Sequence, residues 1–212
     1  MRRVPDGYPH GPAAALAAGA ALEALEALDE PRAIILVEGV SDQIAVDALA
    51  RRLGIDVERT ATLPVGGAQG LRRMLHTIVA RFPDARLGGL YDIAEADVVR
   101  RALEDSGLLQ HGGRPQDAGF FACAADLEDE LLRACGPALV EECLAVNADL
   151  TAFRRLQQQQ EWRGRPFDEQ ARRWIASGAR RKLRYARILV DAAPLERMPH
   201  PLVAALEWAR QT

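Results

Sequence analysis

The chain is almost without lysine: Lys182 stands alone among 26 arginines in 212 residues. Aromatics make up 5%, and the three cysteines, Cys123, Cys135 and Cys143, are odd in number and show no CxxC spacing. That argues against a disulfide-framed secreted scaffold and for reduced thiols in a cytoplasmic protein. No window reaches the ~18 uncharged apolar residues a membrane span needs. In MRRVPDGYPHGPAAALAAGAALEALEALDEP, prolines and Asp6 separate two arginines from an alanine-rich run that Glu23 and Glu26 interrupt. A helix over 13–29 is expected there, not a secretory signal. A GxxxxGK[ST] phosphate loop is also missing, because the lysine follows Arg181 and not glycine. This chain alone is therefore not expected to bind ATP in that manner.

What is present is ordinary for a globular protein: 49% hydrophobic and 27% charged residues. The net charge of −3 hides an asymmetry. Residues 151–190 hold eleven basic side chains against Glu161, Asp168 and Glu169, so that stretch is +8 and the remainder −11. A solvated helix face would account for this; so would a polyanion grip beside a cation site.

Along the chain, AIILVEG is a continuous apolar run, as expected of a strand covered on both faces. Ser41 is placed to cap the helix DQIAVDALARRLG, which Gly54 closes. TATLPVGG, ARLGGLYD and GFFACAAD read as three further strands, each leading into a helix. This alternation predicts a parallel α/β sheet of about four strands with right-handed crossovers. From residue 137 onward every segment reads as helix. The expected layout is an N-terminal helical segment (1–30), an α/β domain (31–136) and a basic helical region (137–212) packed on it.

Ligands of open parallel sheets bind outside the carboxyl ends of the strands. Strand one delivers Glu38 and Asp42 to that rim, strand two Gly66 and Gly67, strand three Asp92 and Glu95, strand four Asp126 and Glu128. Each acid singly could be a cap, a turn or a solvated residue. Together, unpaired carboxylates repel, and a hard divalent cation, Mg²⁺ or Mn²⁺, relieves them. The glycine pair Gly66–Gly67 is a turn or a phosphate cradle.

LVEGVSD, a strand ending in YDIAE, the GG after strand two, DLEDEL, and the distant KLRYARILV…MPHP together resemble the TOPRIM domain. That is the Rossmann-like metal-binding module of bacterial primases, topoisomerases and the overcoming-lysogenisation-defect (OLD) nucleases, and the OLD pattern is the nearest. The resemblance implies that Glu38 is a ligand or general acid/base and that Asp42 and Asp92 are ligands, with Asp126 and Glu128 completing the set. It also implies that Lys182 is catalytic. Ala94 stands where the second acid of the family's DxD pair belongs, leaving Glu95 as the nearest substitute. The implied activity is Mg²⁺-dependent phosphodiester cleavage of DNA, with Lys182 steadying charge on the phosphate. Arg180, Arg181, Lys182 and Arg184 would hold the backbone, and salt would weaken that hold. Trp162, Trp174 and Tyr185 are expected mainly as core. OLD nucleases carry an attached ATPase, so a separate ATPase partner is an alternative here. Two rival readings are a non-catalytic TOPRIM module that binds nucleic acid or a partner, and a receiver-type aspartate phosphotransfer domain.

Overall fold

Five consecutive buried residues, Ala33–Val37, make β1. Alternate strand side chains leave on opposite faces, and the two faces here feed different apolar clusters. Ile35 and Val37 join one; Ile34 and Leu36 join the other. A strand with no solvent side has no reason to alternate, which is why AIILV does not.

The computed structural model describes residues 23, 25–26, 30–55, 59–66 and 68–211. Most of the helix expected over 13–29 therefore lies outside the described residues, although Glu23, Leu25 and Glu26 are helical. β1 sits inside a four-stranded parallel sheet with β2 (Thr60–Pro64), β3 (Arg86–Asp92) and β4 (Phe120–Cys123), in the order β2-β1-β3-β4. Pro64, which has no N–H to give, ends an edge strand. Helices α1 (Val40–Arg52), α2 (Ala68–Arg81), α3 (Ala96–Asp105) and α4 (Leu127–Val146) follow the four strands in turn. α1 packs into the cluster of Ile35 and Val37, whereas Leu75 and Ile78 of α2 and Leu103 of α3 fill the opposite one. The expected α/β alternation is borne out.

The strand order positions the site. From β1 the chain steps outward to β2, then returns past β1 to β3. The winding reverses between β1 and β3, and the crevice at such a reversal is where open α/β sheets bind ligands. Glu38 follows β1, and Asp92 ends β3.

Helices α5 (Leu150–Gln158), α6 (Phe167–Ala176), α7 (Ala179–Ala192) and α8 (His200–Arg210) complete the chain. Their buried residues Phe153, Trp174, Tyr185, Leu189 and Leu206 share one cluster with Ile35, Val37 and Leu49. Phe153, Trp174 and Tyr185 meet edge to face, at 6.1 and 5.4 Å between centroids. Arg52 of α1 donates to Ala193 O at 2.8 Å and to Val190 O, pinning the end of α7. The Trp208 indole of α8 donates to Leu87 O of β3 at 2.7 Å. Gly88 leaves it room: a Cβ there would stand 3.1 Å from the ring.

The helix LEDELLRACG ends as expected: inside α4 the backbone leaves helical geometry at Gly136 (φ +72°, ψ 164°), and a second helical stretch starts at Pro137 across the kink. One expectation changes. The segment PALVEECLAVNADLTAFRRLQQQQEW (137–162), which reads as one helix in sequence, breaks at Ala148 (φ +59°), where Asn147 folds its amide back onto Cys143 O at 2.8 Å. No helix among the described residues is long and apolar enough to cross a membrane.

Candidate metal and nucleic-acid site

Glu38 is the first residue beyond β1, and its side chain is exposed. Its carbonyl accepts the Gly66 N–H at 3.0 Å, which ties this turn to the loop after β2. Gly39, in extended conformation, caps α1 in place of the expected Ser41, which lies buried inside the first turn. The Asp42 Oδ2 accepts the Gly39 N–H at 2.9 Å. Burial, then the Glu128 carboxylate, with a smaller push from Glu38, raise Asp42 from 3.8 to about 7. The Gly39 N–H and Lys182 pull against that shift.

Asp92 ends β3 and Glu95 closes the short 3-10 turn Ile93–Glu95. Burial raises Asp92 to about 7, helped by the charges of Glu38, Asp126, Glu95 and Glu128. Five of the six predicted acids thus lie in one field, and Asp42 joins it through Glu38 and Glu128. Glu38 and Glu95 also line one small cavity at the ends of β1 and β3, together with Val37 and Tyr91. Ala94, at the place of the missing acid, is exposed.

The acids after β4 are already engaged. Asp126 caps α4 by accepting the Asp129 N–H at 2.8 Å, and it receives Arg172, whose Nε lies 3.0 Å away. Glu128 is buried, and Lys182 Nζ stands 3.1 Å from its Oε1. Burial opposes the ammonium, but Glu128 by charge and hydrogen bond, then Asp42 and Asp126, outweigh it and hold the Lys182 pKa above its ordinary value. The helix α7 therefore brings the lysine to the strand ends from far along the chain.

Oxygen-only donors with two carboxyls forced toward neutrality fit a hard divalent cation in chemistry. In position they fit only in part. Among the described residues no three acids stand close enough to hold one ion together. The six-ligand set expected from sequence is gathered as a field, not as a cage. Asp126 and Glu128, held by Arg172 and Lys182, are the least suited to ligation.

Other expected residues divide similarly. Gly66 has the left-handed φ (+73°) that favours glycine, but its N–H is spent on Glu38 O, which speaks for the turn over the phosphate cradle. Gly67 lies outside the described residues. Arg181 is turned inward: its guanidinium lies 3.9 Å over the Trp174 ring and donates to Trp174 O and Ser177 Oγ at 2.6 Å each. Arg184 is paired with Asp149. Of the four residues expected to grip DNA, Arg180 alone is exposed with no ion-pair partner among the described residues. The sequence reading missed a cleft of about 410 Å³ lined by Asp126, Glu128, Trp162, Arg172, Arg173 and Lys182. Trp174 and Tyr185 are core, as expected; Trp162 is half-buried, packing against the same core while it also lines the cleft.

A family model described as "Overcoming lysogenization defect protein-like, TOPRIM domain" matches residues 32–81. The fold matches the C-terminal region of the Burkholderia pseudomallei OLD protein with TM-score 0.65 and 18% identity, over 85% of this chain and 97% of that one. It also matches the C-terminal region of the Xanthomonas campestris pv. campestris OLD protein, with TM-score 0.64 and 22% identity, over 85% and 92%. No curated protein matches.

Proposed function

We propose, from the premise that this chain carries an OLD-like TOPRIM domain, that it cleaves phosphodiester bonds in DNA with the help of Mg²⁺ or Mn²⁺. A nucleic-acid-related role is what the TOPRIM match supports at the coarser level. Glu38, Asp42 and Asp92, with Glu95, would hold the ion; the exposed Glu38 carboxylate is the arm with most freedom to reach it. A divalent ion at such a site activates water and neutralises developing charge. Lys182 would bear on a non-bridging phosphate oxygen, exchanging its contact with Glu128 for one with substrate. Asp42 and Asp92, raised to about 7 without an ion, would release their protons on binding one near neutrality.

The observation that carries this reading is the position of the chain's sole lysine, in the same field as Asp42, Asp126 and Glu128. In a chain that otherwise uses arginine, a compact ammonium at that spot favours phosphate chemistry. Supercoiled plasmid, in which torsional stress opens short unpaired stretches, tests it on incubation with Mg²⁺ or Mn²⁺. Nicking should fall at least ~100-fold in Glu38→Gln and in Lys182→Ala. Plasmid binding without any nicking, indifferent to both substitutions, would instead support a binding module, alone or beside an ATPase partner.

A further inference from the structure

The cleft beside Lys182 is built from four pieces of chain. The N-cap and first turn of α4 give Asp126 and Glu128, α6 gives Glu169, Arg172 and Arg173, α7 gives Lys182, and the turn between α5 and α6 gives Trp162. At about 410 Å³ it is in the range of small-ligand sites.

Trp162 is held in place from behind. Its N–H donates to Gln159 O at 2.9 Å, and its carbonyl accepts Gln170 Nε2 at 2.8 Å. Gln170 is buried, and its amide oxygen accepts Gln157 Nε2 at 2.7 Å. A buried amide needs its partners, and this one spends its donor on the backbone of a half-buried tryptophan that packs partly against the core and partly lines the cleft. The glutamine run thus anchors an indole at the wall of the cleft. The guanidinium carbons of Arg165 and Arg173 lie 5.1 and 5.9 Å from the ring centre.

Charge follows the same plan. Asp126, Glu128 and Glu169, all in the lining, are matched by Arg172 and Lys182 within it and by Arg165 from outside it. Arg173 has no carboxylate partner among the described residues, so the wall beside Trp162 keeps positive charge. Both guanidiniums lie over the ring, so an unpaired base entering here would displace one of them from the indole or stack on its guanidinium plane, both being surfaces that unpaired bases use. Bases inside a duplex have both faces covered by their neighbours, and a concave cleft cannot reach them.

We propose that this cleft seats an unpaired base on the Trp162 indole, with Arg173, Arg172 and Lys182 along the adjoining backbone, so that the substrate is single-stranded DNA. This rests on the nuclease reading above and adds its substrate form. The test is binding in EDTA, which leaves cleavage out of the measurement. A short labelled oligothymidylate and a duplex of the same length are titrated with the wild-type chain, Trp162→Ala and Trp162→Phe. Trp162→Ala should lose roughly 5- to 100-fold in oligothymidylate affinity, with duplex affinity changed less than about twofold. Trp162→Phe, which preserves the packing, should recover most of that affinity. Oligothymidylate should also quench the wild-type indole emission, and much less that of Trp162→Phe. Equal losses for both DNA forms, no loss at all, or no wild-type binding of oligothymidylate would overturn the proposal. Plasmid nicking by Trp162→Phe is judged separately: if it persists while stacking fails, the nuclease reading stands and only the substrate form falls.

Discussion

Lys182 Nζ and Glu128 Oε1, from helices α7 and α4, stand 3.1 Å apart at the C-terminal edge of the sheet. The glutamate is 9% exposed on its side chain and the lysine 44%. The pair is therefore buried at one end and wet at the other. That makes the ammonium movable and the carboxylate dependent on it.

Removing the lysine should cost folding stability as well as activity. Lys182→Met leaves Glu128 buried without its counter-charge; half exposure of the lysine cuts the usual penalty to ~1–2 kcal/mol. Adding Glu128→Gln should recover much of that loss. Urea unfolding of the two single variants and the double variant gives the coupling directly; strictly additive losses would mean that the pair contributes nothing.

The raised carboxyls set a pH dependence of stability. Asp42 and Asp92 titrate from an ordinary 3.8 when unfolded to about 7 when folded. The native state then binds more protons, so these two groups cost nothing below about pH 4, cost progressively more as pH rises, and cost most above about pH 7. Melting temperature without divalent ions should fall across that interval. Mg²⁺ at pH 8 should restore it, because an ion that binds only the folded carboxylates stabilises the folded state. Asp92→Asn should melt higher than wild type at pH 8 without metal, by roughly 2–4 °C per kcal/mol relieved, and should respond less to Mg²⁺. A wild-type melting curve flat from pH 4 to 8 and indifferent to Mg²⁺ would contradict this.

Neighbouring arginines should behave in opposite ways. Arg181→Ala removes the guanidinium stacked on Trp174 and two hydrogen bonds. It should lower stability by ~1 kcal/mol while leaving DNA affinity nearly unchanged. Arg180→Ala should leave the melting temperature alone, weaken DNA binding, and reduce the salt slope by about 0.7–0.9. Thermal melts and salt titrations of both variants decide it.

Local pattern was enough to place the strands. AIILV declared burial on both faces by its lack of alternation, and acids following apolar runs marked the rim. Lys182 was legible by contrast with 26 arginines. Other features depend on parts of the chain that meet only after folding. Asp126 and Arg172 are separated by 46 positions, and nothing near either announces the pair. Arg181 and Arg180 look alike until helix phase turns one onto Trp174. The break at Ala148 depends on a left-handed backbone at an alanine, which no local propensity favours. Ser41 is the usual choice for a cap, but the turn from β1 brings the helix in two residues earlier, at Gly39.

The interior shared by β1 and the last four helices has a consequence for how the protein is made. The acids lie early in the chain and the ammonium late, and the late helices complete the wall against which Ile35 and Val37 rest. A chain still on the ribosome, or clipped in the turn that bears Trp162, therefore holds its negative charges without their answering cation. Such a fragment is incomplete in its packing and in its charge at the same time.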